Sequence, residues 1–346
     1  MKVQRDQKPR PNPVLRRLPQ ALALATLLTV GLAFAGCGGS SSDGGGETLS
    51  LVAYSTPQTA YEEHLEPAFT ETPEGSGIEF TNSFGASGDQ SRAVEAGQEA
   101  SYVNFALETD ITRLVEAGQV ADTWRDNNYK GIVTNSVVAL VVRPGNPEGI
   151  ETFQDLVDKD VEVVTPNPFT SGGARWNIMA IYGAALEAGK SKQEALDDVK
   201  VVLSKAVVQP ESARVALQTF TGGAGDVLLS YENEAIAAQT AGEDVDYVIP
   251  ESTILIEQPA AVTVDAPPAA TDYLDFLWSD EGQKIWAGQG YRPVNKALLD
   301  EQTFPVPPNL FTIEKFGGWE KVADEFFDDE TGSVAKIQEE LGVATG

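Results

Sequence analysis

The chain of 346 residues has one histidine, His64, and one cysteine, Cys37. With no other thiol or imidazole, thiolate chemistry and His-rich metal sites are excluded. No Gly-x-Ser-x-Gly elbow occurs, and no Walker-type loop ends in Gly-Lys-Ser or Gly-Lys-Thr, so hydrolysis has no visible actor. The expectation is a protein that is not an enzyme, with no catalytic residue, no metal and no cofactor. Positive charge is also scarce: 24 Lys and Arg face 52 Asp and Glu, for a formal net charge of -28. A nucleic-acid partner is excluded on that balance, and the acidic surface reads as plain solvation.

What positive charge there is gathers at the start. Lys2, Arg5, Lys8, Arg10, Arg16 and Arg17 precede an apolar stretch over residues 21–35, too short for a comfortable membrane span. Residues 1–36 read as a secretory signal. Ala35 and Gly36 directly before Cys37 resemble the lipobox of bacterial lipoproteins, with Phe34 where leucine is usual. That resemblance implies acylation of Cys37, which holds the mature protein on the outer face of the cytoplasmic membrane. Residues 38–46 are Gly and Ser with one Asp, so 37–47 form a flexible tether reaching roughly 15 to 20 Å. Six basic residues against Asp6 leave with the signal, so residues 37–346 carry about -33.

The remainder, in a chain 42% hydrophobic and 22% charged, has length for two globular domains. Strand, loop and helix recur along it, which predicts a mainly parallel α/β architecture with helices on both sheet faces. Residues 49–54 form a strand and 58–70 a helix with Tyr61, Leu65 and Phe69 at helical spacing; the loop Tyr54-Ser55-Thr56-Pro57 joins them. A strand at 78–83 leads into Ser87, a plausible helix N-cap, with Asp89 facing outward in the first turn; Asp110 caps a helix that stops at Gly118. Residues 133–142 are almost wholly apolar, a strand buried on both faces, and the first domain crossing falls near Val138. Ser191 and Glu194 make a capping box. The return crossing lies near Pro259, giving one lobe of 48–137 with 259–346 and a second of 138–258.

The chain is organised around 165–177, Thr-Pro-Asn-Pro-Phe-Thr-Ser-Gly-Gly-Ala-Arg-Trp-Asn, which follows a β-branched run. Pro166 and Pro168 cannot extend a ladder, and Ser171 stands at a helix N-cap ahead of Gly172 and Gly173. Such a turn leaves free N–H groups, backed by the helix dipole, that favour an anion. Gln209-Pro210-Glu211-Ser212-Ala213 opens a further helix at a strand end, and Tyr231 begins another. Arg175 is expected to pair with Glu232 or Glu234, and His64 to lie exposed.

These pieces, with Gly-Asp-Val-Leu at 225–228, Tyr-Glu-Asn-Glu-Ala at 231–235, Glu-Gly-Gln at 281–283, Tyr-Arg-Pro at 291–293 and Phe-Gly-Gly-Trp at 316–319, resemble the sulfate/thiosulfate-binding proteins of bacterial ABC importers. The resemblance covers nearly all of 49–340. It implies a two-lobed type II periplasmic-binding-protein fold whose interdomain cleft holds a sulfate or thiosulfate dianion by uncharged donors. It further implies a monomer that delivers its ligand to a permease driven by a separate ATPase. By matching motifs the donors are Ser87, Ser171, Gly172, Gly173 and the backbone N–H of Ala213. Tyr231 stands where the family usually has a tryptophan, and Ser55 or Thr56 takes the place of a shorter first loop. The alternatives are a receptor for another tetrahedral oxyanion such as phosphate, a secreted hydrolase or phosphatase, and a structural protein of the cell envelope.

Overall fold

The computed structural model describes residues 46–301 and 304–345; the signal, Cys37 and the tether up to residue 45 lie outside them. Ten strands follow in chain order: β1 Thr48–Tyr54, β2 Glu79–Gly85, β3 Tyr102–Asn104, β4 Ile132–Val142, β5 Val163–Val164, β6 Ala206–Val208, β7 Val227–Tyr231, β8 Asp246–Val248, β9 Ser252–Val262 and β10 Asn309–Phe311. Their lateral order is β2-β1-β3-β9-β4-β7-β5-β6, with β8 on β4 and β10 on β9. Both β1, β2 and β3 at one end and β5, β6 and β7 at the other run parallel within their group. Every antiparallel pairing between these strands involves β4 or β9.

Those two strands join the halves. β4 pairs with β9 through Ile132–Val137 and with β7 through Val138–Val142. β9 pairs with β4 up to Pro259 and with β3 from Ala260 on. An apolar run without alternation suits this role, because β4 is covered on both faces: Val138, Leu140 and Val142 enter one hydrophobic cluster and Val141 another. β1 alternates in the same way, sending Leu49, Leu51 and Ala53 to one cluster and Val52 to its opposite.

Helices cover both faces of each half. In the first half, a helix over 58–70, continuous through a π-helical turn at Tyr61–Leu65, meets Pro268–Trp278 and Asp280–Gly288 on one face. Ser87–Glu95 and Glu108–Glu116 take the other face. In the second half, Gly172–Glu187 and Lys192–Ser204 lie opposite Ala213–Thr221 and Glu232–Thr240. Ser191 and Glu194 form the capping box read from the sequence.

Three expectations are corrected. The N-cap of Ser87–Glu95 is Ala86, and that of Glu108–Glu116 is Leu107; neither Ser87 nor Asp110 caps a helix, because each is turned inward toward the other. The last segment, assigned to the first lobe, adds to the second half: β10 pairs with β9 at Ser252–Ile254, and Phe311, Ile313, Trp319, Phe326 and Ile337 share a cluster with Trp176 and Tyr182. Helix Ser333–Leu341 completes the layer, with Gln338 bonded to Gln209 at 3.2 Å and Glu340 paired with Lys200.

Glu66 lies buried beneath this scaffold in the first half. One carboxyl oxygen accepts from Asn82 Nδ2 at 3.1 Å and the other has no partner. Burial pushes its pKa up to about 7, against the pull of Asn82 and with the help of Glu62. A carboxyl raised in the folded state holds its proton longer there than in the unfolded chain, so stability falls as pH climbs from about 4.5 through 7. Glu66→Gln is expected to flatten that decline and to exceed the wild type by on the order of 3 kcal/mol at pH 8, read by urea denaturation at pH 5 and 8.

Candidate anion-binding site

The carboxyl ends of the parallel strands in both halves meet at one place, where open α/β sheets accept ligands. A small, narrow cavity lies there between Tyr54, Ser55, Thr56, Gly85, Ala86, Ser87, Ala106, Ser171, Gly173, Ser212, Ala213 and Tyr231. None of the twelve carries a charge. Seven are residues singled out in the sequence: Ser55, Thr56, Ser87, Ser171, Gly173, Ala213 and Tyr231. A side-chain carbon at Gly173 would come within 3.3 Å of Tyr231 Oη, 3.4 Å of Ser171 Oγ and 3.6 Å of Ala213 Cβ, so three chain segments converge on that glycine.

Gly172, the eighth, does not line the cavity. A Cβ there would stand 2.9 Å from Ala106 Cβ and from Leu107 Cγ. Its lack of a side chain lets the two halves come together. Trp176, one turn on, reinforces the contact, donating its indole N–H to Ala106 O at 2.8 Å. On the far side Arg214 donates to Thr56 O at 2.7 Å and sits 3.4 Å from Glu234.

Three helices begin at the cavity: Ser87–Glu95, Gly172–Glu187 and Ala213–Thr221. Their first-turn N–H groups find no partner within the helix, and the dipoles place partial positive charge there. Ser171 makes no side-chain cap bond, whereas the Ser212 hydroxyl accepts from Val215 N at 3.3 Å. The hydroxyl of Tyr231 is buried and partnerless in the protein, and those of Tyr54 and Thr56 are buried beside each other. Burial holds the Tyr231 phenol well above its usual range, with Tyr54, Glu234 and Asp110 adding to the shift. It therefore keeps its proton at any working pH.

The Ser87 hydroxyl is committed elsewhere: it donates to Asp110 Oδ2 at 2.6 Å and accepts from Ala106 N at 2.9 Å. What Ser87 has left for a ligand is its backbone N–H. Burial pushes the Asp110 carboxyl up, opposed first by the Ser87 bond and then by the charge of Arg175. Asp89 lies exposed in an ion pair with Arg92, and His64 is exposed as expected. Arg175 pairs with neither Glu232 nor Glu234. It donates to Pro168 O at 2.8 Å and lies over the Phe327 ring, while Arg292 takes Glu232 and Arg214 approaches Glu234. Among the described residues no cluster of three or more His, Cys, Asp and Glu could hold a metal, and no helix is long and apolar enough to cross a membrane.

Sequence reasoning passed over Tyr54, Gly85, Ala86, Ala106 and Ser212 as contacts. Tyr54 and Gly85 are the last residues of their strands, the one signal that marks them.

Two halves joined by crossing strands around a small cavity of neutral donors define a receptor for a small polar solute. The chain belongs to the bacterial extracellular solute-binding proteins, whose family model matches residues 49–292. It is 40% identical to a sulfate-binding protein of Synechococcus elongatus over 92% of this chain and 95% of that one. To the sulfate-binding protein of Escherichia coli it is 36% identical, over 81% and 89%. A thiosulfate-binding protein of Pseudomonas aeruginosa is 33% identical over 88% and 95%. Among solved structures, the sulfate-binding protein SubI of Mycobacterium tuberculosis H37Rv superposes with a TM-score of 0.79 at 42% identity, covering 82% of this chain and all of that one. The fold is the α/β fold of type II periplasmic binding proteins, and the protein is a non-enzymatic binder that works outside the cytoplasm.

Proposed function

We propose that this receptor captures sulfate in the cavity between its halves and delivers it to an ABC permease driven by a separate ATPase. The observation that carries this reading is the buried, partnerless Tyr231 hydroxyl beside Gly173, in a cavity where three helix N-termini converge. A buried polar group without a partner costs about 1–3 kcal/mol, so a guest that accepts a hydrogen bond from Tyr231 relieves that penalty. Sulfate at neutral pH is acceptor-only, which suits walls that offer N–H and O–H donors and carry no carboxylate.

The magnitudes are sufficient. Hydrogen bonds to a charged group contribute about 1.5–3 kcal/mol each and helix N-termini about 0.3–2. Six such contacts exceed the roughly 8 kcal/mol of micromolar binding, leaving a surplus for bringing the halves together. The chain's acidity does not forbid it, because dipoles act at contact while the surface field is screened within about 8–10 Å.

We assign the first lobe to 48–137 with 259 onward as far as the helix Lys296–Glu301, and the second lobe to 138–258 with 309–341. The donors are Ser55, Thr56, the backbone of Ser87, Ser171, Gly172, Gly173, Ala213 and Tyr231. Cys37 is the lipid-attachment site, and mass spectrometry of the membrane-extracted protein should find it acylated. Calorimetry on desalted protein is expected to give micromolar or tighter sulfate binding and none for phosphate, whose proton calls for a strong acceptor such as a carboxylate, which the cavity walls lack. Phosphate binding with no response to sulfate would overturn the assignment. Thiosulfate, of equal charge and similar shape, enters the same experiment as a competitor, since relatives named for it are 33% and 34% identical.

A further inference from the structure

Two of the motifs quoted above, Tyr-Glu-Asn-Glu-Ala and Tyr-Arg-Pro, lie 60 residues apart at Glu232 and Arg292 and meet in the interior. Arg292 Nε and Nη2 reach the two carboxyl oxygens of Glu232 at 2.6 and 3.1 Å. Both side chains are buried, 4% and 0% exposed. Neither lines the cavity, so this pair is not a ligand contact. Its surroundings show what it does. The backbone of Arg292 exchanges hydrogen bonds with Asn135 at 2.8 and 2.9 Å, on the crossing strand β4. Three residues along the same strand, Val138 pairs with Tyr231, the neighbour of Glu232. Asn135, Arg292, Glu232, Tyr231 and Val138 thus close a ring of contacts through three chain segments. Tyr231 is the one cavity residue in it, and its side chain has no hydrogen bond of its own to fix it.

We propose that Arg292, through its forked bond to Glu232, is a positioning residue that sets where the Tyr231 hydroxyl stands in the anion cavity. Tyr231 is the N-cap of helix Glu232–Thr240 and Glu232 its first residue. A guanidinium fork on that first residue fixes both the height and the rotation of the helix start, which a single-point ammonium contact cannot do. A third bond, from Arg292 Nη2 to Pro305 O at 2.7 Å, and the Phe304 ring beside the guanidinium keep the fork itself from swinging. This inference rests on the reading of Tyr231 as a ligand donor.

The test is a double-substitution cycle read by sulfate calorimetry, with a second readout that needs no ligand. Tyr231→Phe is expected to weaken sulfate binding roughly 10- to 100-fold by loss of one hydrogen bond to a charged guest. Arg292→Lys, which keeps the charge and loses the fork, should weaken it about tenfold, and Glu232→Gln by a similar factor. The double variant Tyr231→Phe with Arg292→Lys should bind no worse than the weaker single variant. Additive losses would overturn the proposal, because Arg292 would then act on the site by another route. In ligand-free protein labelled with 3-fluorotyrosine, the Tyr231 resonance, assigned by its disappearance in Tyr231→Phe, should shift in Arg292→Lys. It should stay in place in Leu114→Ala, a core cavity variant in a different hydrophobic cluster from Tyr231. An unmoved resonance in Arg292→Lys overturns the positioning role whatever the ligand is. Absence of sulfate binding by the wild type, in contrast, sinks the sulfate reading and leaves the fluorine result to decide on Arg292.

Discussion

Replacing Gly173 with alanine is expected to weaken sulfate binding about 100-fold and to leave the unliganded protein as stable as the wild type, or slightly more so. The two halves of that expectation have different origins. For folding, the new methyl is tolerable: its nearest neighbours are Tyr231 Oη at 3.3 Å, Ser171 Oγ at 3.4 Å and Ala213 Cβ at 3.6 Å. Gly173 is the second residue of helix Gly172–Glu187, and alanine costs less than glycine in a helix by up to about 1 kcal/mol. For binding, the same methyl fills the space that the Tyr231, Ser171 and Ala213 donors share. Displacing an anion from even two charged hydrogen bonds costs about 3 kcal/mol or more, which is at least 100-fold. Calorimetry for affinity and thermal melting for stability read the two effects separately. Unchanged affinity would mean that the ligand sits elsewhere. Gly172→Ala makes an informative partner, because its methyl meets Ala106 and Leu107 across the halves at 2.9 Å. It should act by hindering closure, at about 1–3 kcal/mol of overpacking, with the donors themselves untouched.

How far the site could be read in advance depended on the range of each interaction. The place of Ser171, Gly172, Gly173 and Ala213 at helix starts was legible because the signal is local: a strand, a tight turn and a helix start within a dozen residues. The same locality made β4 legible as a strand covered on both faces, since an unbroken apolar run from 137 to 142 leaves neither side for water. Ser87 was found for its place in a loop, yet its hydroxyl's partner is Asp110, 23 residues away, and nothing in either local context announces the pairing. Arg175 failed for a related reason. The acids near the helix start were assigned to it by chemistry alone, while three arginines and three acceptors sort themselves by position: Glu232 to Arg292, Glu234 to Arg214, and the Pro168 carbonyl to Arg175. The C-terminal segment was the largest departure. Its strand β10 has three residues and its helices are short, so composition gives it no preferred half until its aromatics meet Trp176 and Tyr182.

That departure leads to the other large effect. Trp319→Ala is expected to lower the thermal midpoint by roughly 10 °C, through a loss of about 3–5 kcal/mol for a buried tryptophan truncated in a core. Trp319 is 4% exposed, and its ring stands edge-on to Trp176 with centroids 4.6 Å apart and planes at 90°. If the segment belonged to the first lobe, its loss would unsettle that lobe and spare the second. In this arrangement the damage falls on the second half, on the helix that carries Gly172 and Gly173. Trp176 would lose the neighbour that holds its ring while its indole N–H reaches Ala106 O in the other half. Sulfate affinity should therefore fall as well, by a few-fold, even under conditions where the variant remains folded. Hydrogen exchange can separate these contributions, because protection should drop along Gly172–Glu187 and Ser333–Leu341 and hold along β1 and Ser87–Glu95. Uniform loss of protection, or loss confined to the first half, would assign the segment back to the lobe that sequence alone suggests. A midpoint shifted by less than about 3 °C would mean that Trp319 fills no essential space, given that each kcal/mol moves a domain of this size by about 2–4 °C.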